Sequence, residues 1–143
     1  MKIYLLDTDH FSLFERGHSQ VVNRFGLTPM HEIGIAVITA EEKMRGRLAY
    51  IRTLQSSHKP INEQLDAYRW LRETIETLRD FSILDYTALA HTHYENLRQQ
   101  KIRIGSQDLR IAAIALSVNG TLVTRNHIDF TQVPGLTIED WTS

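Results

Sequence analysis

"SQDLRIAAIALSVNGTLVTRN", residues 106–126, reads as a helix, a turn and a strand in immediate succession. Between Leu109 and Leu116 the one polar residue is Arg110. A helix without a polar face is a buried helix. Gly120 marks the turn, and GTLVTRN (120–126) then reads as a buried strand. The same alternation runs upstream. KIYLLD (2–7), IGIAVIT (33–39) and FSILD (81–85) are short apolar runs of strand character, and LTIEDW (136–141) is a fifth candidate. Between them lie TDHFSLFERG, with Thr8 or Asp9 as N-cap and Gly17 as stop, then SQVVNRFG (19–26) and AEEKMRGRLAYIRTLQ (40–55). Pro60 ends that run. Residues 62–81 carry Leu65, Tyr68, Leu71, Ile75 and Leu78 at helical spacing, and 87–100 gives a further helix. Strands alternating with helices predict an α/β fold: a mostly parallel sheet of four or five strands flanked by helices, as one domain over 1–143.

Composition narrows the function. The chain has 143 residues, a formal net charge of -1 and no cysteine. A disulfide framework, a thiolate metal site and a cysteine nucleophile are excluded, and a reducing, cytoplasmic setting fits. A nucleic acid would have to meet a local patch, because the chain as a whole is not basic. The opening apolar run, residues 3–6, is short and is closed by Asp7, which predicts neither a signal peptide nor a membrane span.

Ligands of parallel α/β sheets bind beyond the carboxyl ends of the strands. Acids gather at those ends here. The first strand ends in Asp7, the second at Thr39 just before Glu41 and Glu42, and the fourth at Thr124-Arg125-Asn126 with Asp129 one turn on. Asp108 opens the buried helix and points to the same edge. Singly, each acid has an ordinary explanation. An acid in a first helical turn gains roughly 0.3–1 kcal/mol from the helix dipole, and adjacent Glu41 and Glu42 cannot face the same way. Together they form a crowded set of hard oxygens suited to Mg²⁺ or Mn²⁺ and to metal-assisted phosphodiester hydrolysis.

Four segments, LLDTDHFS (5–12), ITAEEKMRG (38–46), IGSQDLRIAAIAL (104–116) and LVTRNHIDFTQVPGL (122–136), resemble in order and spacing the PIN-domain nucleases, and among them the VapC-like toxins of bacterial toxin–antitoxin pairs. The resemblance implies a PIN-like three-layer fold and a Mg²⁺- or Mn²⁺-dependent endoribonuclease. It also implies an RNA substrate, a VapB-like antitoxin partner, a homodimer and no membrane association. By position, Asp7, Glu42 and Asp108 match the family's first three acids. Thr39 and Gly46 set the count that selects Glu42 over Glu41. Asn126 and Asp129 compete for the fourth place. Asp129 is favoured, since it completes a charge of -4 for two divalent ions. Asn126, Thr124 and Asp9 are supporting residues, and Arg103, Arg125 and His127 are candidates for contact with RNA.

Other chemistries fit less well. His91 and His93 lie two apart on one helix and do not share a face. The "DTD" of residues 7–9 resembles the opening motif of haloacid-dehalogenase-type phosphatases, but no Lys follows Lys101 and the later acidic pair is missing. An RNA-processing nuclease outside a toxin–antitoxin pair, or a PIN fold that binds without cutting, remains the alternative reading.

Overall fold

The structure is a computed structural model describing residues 2–143. Strands β1 (Tyr4–Leu6), β2 (Ile33–Ala36), β3 (Ser82–Leu84), β4 (Thr121–Val123) and β5 (Thr137–Glu139) form one sheet in the order β3-β2-β1-β4-β5. Every pairing is parallel; Leu6 registers with Ile35 on one side and Val123 on the other. The chain leaves β1 toward β2 and β3, then crosses back to lay β4 on the opposite side of β1. The switch point of the topology therefore lies between the ends of β1 and β4.

Alternation along the strands builds three layers. Leu5, Ala36 and Leu122 face α5 (Ala88–Gln99) and α6 (Ser106–Ser117), where Ala90, Tyr94, Leu97, Ile111 and Ile114 close the core. Leu6, Ile35 and Val123 face the other way, against Phe11, Leu13 and Val21 of α1 (Thr8–Glu15) and α2 (Ser19–Gly26), with Phe81 and Trp141. Helix α6 is buried all round, and Ala112, Ala113 and Ala115 are wholly inaccessible. Small side chains there let the helix sit close to the sheet.

The structure corrects three expectations. The second strand stops at Ala36, not Thr39, because α3 (Val37–Ser56) has already begun. Val37-Ile38-Thr39 looks like strand by propensity, but Ile38 and Thr39 are buried as the first helical turn over the sheet edge, a case of tertiary packing overriding a weak local preference. The N-cap of α1 is Asp7, neither Thr8 nor Asp9. The fourth strand ends at Val123, so Thr124-Arg125-Asn126 form the link to the short α7 (His127–Phe130).

The long helix α4 (Ile61–Arg79) departs in another way. Of its apolar stripe, Leu78 is buried and Leu71 partly so, while Leu65, Tyr68 and Ile75 are 58%, 49% and 46% exposed. Ala67 and Thr74 point inward in their place. The reason is that α4 packs mainly on α3, around Ile51 and Leu54, and small residues suffice for that contact.

Candidate active site

Asp7 directly follows β1 and caps α1. The backbone N–H of His10 donates to its Oδ1 at 2.7 Å, and its own N–H donates to the Val123 carbonyl at 3.0 Å, locking the tips of β1 and β4 together. Asp7 is 6% exposed. Thr8 follows and reaches across to α3. Its hydroxyl donates to Glu42 Oε1 at 2.6 Å and lies 3.1 Å from the hydroxyl of the buried Thr39. Glu41, one residue earlier, turns away: it pairs with Arg45 at 2.5 Å and accepts from Gln107 at 2.9 Å.

Asp108 stands in the first turn of α6, anchored by the buried Leu109 and Ile111. Asp7, Glu42 and Asp108 line one cavity of about 580 Å³, with Thr8, Asp9, Arg125, Asn126 and Phe130. Burial raises the Asp108 carboxyl to about 6, helped by the negative charges of Glu42, then Asp7, then Asp129. The four acids therefore feel one another, which is the expected cost of gathering like charges at a half-buried site.

Asp129 is not part of the cavity wall. It is held at the mouth of α7 by a reciprocal cap: Asn126 Oδ1 accepts the Asp129 N–H at 3.2 Å, and Asn126 Nδ2 donates to Asp129 Oδ2 at 3.0 Å. The buried Thr124 supports this turn by accepting the Asn126 N–H at 2.9 Å. Asp9 is paired with Arg125 through two hydrogen bonds of 2.7 and 3.1 Å. This contact holds the exposed guanidinium charged, above its ordinary range. His127 lies outside the cavity, its Nε2 3.5 Å from Asp140, and Arg103 is exposed and also outside it. Burial alone would raise the Asp140 carboxyl, but bonds from Thr142 and His127 and the proximity of His10 hold it below its usual range.

Two contributors escaped the sequence reading. Thr8 looked like a cap yet bridges to Glu42. His10 is fully buried behind Asp7. Ligand atoms of Asp7, Asp9 and His10 lie within 4.8 Å of one another, but the Nε2 of His10 already accepts the backbone N–H of Trp141 at 3.3 Å.

No family model matches the chain. It is 30% identical to Ribonuclease VapC2 of Rickettsia felis, over 97% of this chain and 98% of that protein. It is 28% identical to Ribonuclease VapC1 of Haemophilus influenzae, with 98% of each covered. Among solved structures it superposes on a chain of DNA-bound VapBC from Salmonella typhimurium with a TM-score of 0.79 at 25% identity, covering 99% of both. A chain of VapBC2 from Rickettsia felis bound to a promoter DNA fragment gives a TM-score of 0.70 at 27% identity, covering 97% of this chain and 98% of that one. Sequence and fold thus agree over nearly the whole length, and the chain belongs to the VapC family of PIN-domain ribonucleases.

Proposed function

We propose that this chain is a metal-dependent endoribonuclease, the toxin of a toxin–antitoxin pair, with Asp7, Glu42, Asp108 and Asp129 as ligands of Mg²⁺ or Mn²⁺. The observation that carries the reading is the convergence of Asp7, Glu42 and Asp108 on one cavity, with Asp129 near enough to add to the charge that raises the Asp108 carboxyl. Carboxylates packed against mutual repulsion are the donor set of a hard divalent cation. When bound, such an ion supplies a water of lowered pKa and neutralises charge on a phosphodiester. The chain's own residues do the positioning. The helix cap fixes Asp7, Thr8 holds one oxygen of Glu42, and Asn126 orients Asp129. Arg125, presented by Asp9 at the cavity wall, is the group that would meet a substrate phosphate. Arg103 and His127 could touch only RNA running beyond the cavity.

Cleavage of single-stranded RNA by the purified chain tests this. Glu42→Gln should lower the rate by about 100-fold or more, whereas Glu41→Gln, which removes an exposed ion pair, should leave it within about twofold. The reverse ranking overturns the site. At the fourth position, Asp129→Asn should weaken Mn²⁺ binding by about tenfold. Asn126→Ala should have a milder effect on cleavage, while costing about 1 kcal/mol of stability through the lost cap. Calorimetric titration with Mn²⁺ and thermal melts check both.

The proposed partners are RNA, a VapB-like antitoxin and a second copy of the chain, and the proposed compartment is the cytoplasm, where the RNA is. Among the described residues, no helix is long and apolar enough to cross a membrane. Leu65, Tyr68 and Ile75 leave an apolar face on α4 that protein contact would cover. Light scattering should give a dimer; a strict monomer at high concentration overturns that part.

A further inference from the structure

His10 is fully buried in the first turn of α1 and has no role in the chemistry above. Its ring touches two distant parts of the chain. The backbone N–H of Trp141, just beyond β5, donates to Nε2 at 3.3 Å. On the other side, Nδ1 lies 3.4 Å from Oδ1 of Asp7. Nε2 also lies 3.6 Å from Oδ1 of Asp140, beyond hydrogen-bond reach, whereas the Trp141 N–H is within it; a backbone N–H can only donate, so the bonded arrangement has Nε2 as an unprotonated acceptor. In a neutral imidazole the proton then sits on Nδ1, on the Asp7 side of the ring, close to Oδ1 but short of hydrogen-bond geometry. Among the described residues, Nδ1 is the one buried side-chain polar atom without a completed hydrogen bond. The same tautomer disqualifies His10 as a metal ligand, despite its closeness to Asp7 and Asp9. One nitrogen has its lone pair engaged and the other carries a proton.

We propose that His10 is a positioning residue for Asp7. Its backbone N–H and its Nδ1–H both approach Oδ1, which leaves Oδ2 as the oxygen without a protein partner on the cavity side. Through Nε2, the C-terminal segment after β5 sets the ring and hence the carboxylate. Groups that orient a ligating side chain commonly change metal affinity by about 10–100-fold when removed. The inference rests on Asp7 being a metal ligand, as proposed above.

Two substitutions separate the contacts. His10→Gln carries its amide to the Nε2 position, where it can still accept from Trp141, but offers no donor at the Nδ1 position. His10→Asn offers an N–H at the Nδ1 position and gives up the Trp141 contact. Titration with Mn²⁺ should show His10→Gln weakened by about tenfold or more, with the melting temperature of the metal-free protein near that of the parent. His10→Asn should bind Mn²⁺ within about threefold of the parent while melting earlier. If Mn²⁺ affinity follows melting temperature in both variants, His10 is a core residue only and the inference fails. Nitrogen-15 NMR of the unaltered protein reads the tautomer directly; an Nε2–H form would also overturn it. Asp7→Asn is the control: unchanged Mn²⁺ affinity there removes Asp7 as a ligand, and the failure then lies in the metal-site reading itself.

Discussion

Treatment with EDTA should abolish RNA cleavage by the purified protein, and added Mn²⁺ or Mg²⁺ should restore it. The cavity wall offers carboxylates, a hydroxyl, an amide and one guanidinium, and no histidine lines it. Acid–base chemistry of the metal-free ribonuclease kind needs an acid and a base together within reach of the substrate, and Asp108, at about 6, is the one wall group raised toward neutrality. The four acids instead repel one another, and a divalent ion relieves that repulsion directly. The ion should therefore also stabilise the fold, since it binds the assembled site and not the unfolded chain. At a concentration of about 100 times its dissociation constant the gain is about 2.7 kcal/mol, which for a chain of this size raises the melting temperature by roughly 5–10 °C. Cleavage undiminished by thorough chelation, or a melting temperature indifferent to Mn²⁺, would overturn the metal reading.

How much of this was legible in the sequence depends on which force wrote each element. Burial wrote α6: an unbroken apolar run has one stable destination, and the structure puts Ile111 to Ala115 at zero exposure. Burial also marked the strands, so the parallel sheet and its acidic carboxyl edge could be read from apolar runs ending in Asp7 and Thr124. Boundaries were harder. Ala36 to Thr39 changes from strand to helix without glycine, proline or a side-chain cap, so nothing local marks the step. The stripe on α4 is helical in spacing and largely exposed in fact, because periodicity reports that an apolar face exists and not what covers it. The acids that line the cavity were visible as types at strand ends. The contacts that orient them were not. Thr8 to Glu42 and His10 to Trp141 join residues 34 and 131 positions apart, and only the fold brings such pairs together. Asn126 and Asp129, read as rivals for one place, form a single capping unit.

Asp108→Asn should reduce RNA cleavage by about 100-fold or more and at the same time make the metal-free protein more stable at neutral pH. The two effects have one origin. Burial and the charges of Glu42, Asp7 and Asp129 raise the Asp108 carboxyl to about 6, whereas an unfolded chain would ionise it near the ordinary aspartate value of about 3.9. Below that value both states hold the proton and the native state carries no penalty. As pH rises toward 6 the unfolded chain has released its proton while the native state still retains it, so stability falls, and the loss is complete once the native carboxyl ionises. The ceiling on this loss is about 3 kcal/mol; solvent screening at a half-buried side chain reduces it to about 1–2 kcal/mol. Asparagine fills the same space without charge, so the variant should melt roughly 3–6 °C higher at pH 7 in EDTA and should match the parent near pH 4. With saturating Mn²⁺ the order should reverse, because the parent gains the bound ion and the variant binds it poorly. Asp9→Asn is the contrast: it breaks a pair with an exposed arginine instead of relieving repulsion, so it should give no such gain. A variant at Asp108 that melts earlier than the parent in EDTA at pH 7 would show that the carboxylate is a structural cap of α6, with the repulsion too weak to matter.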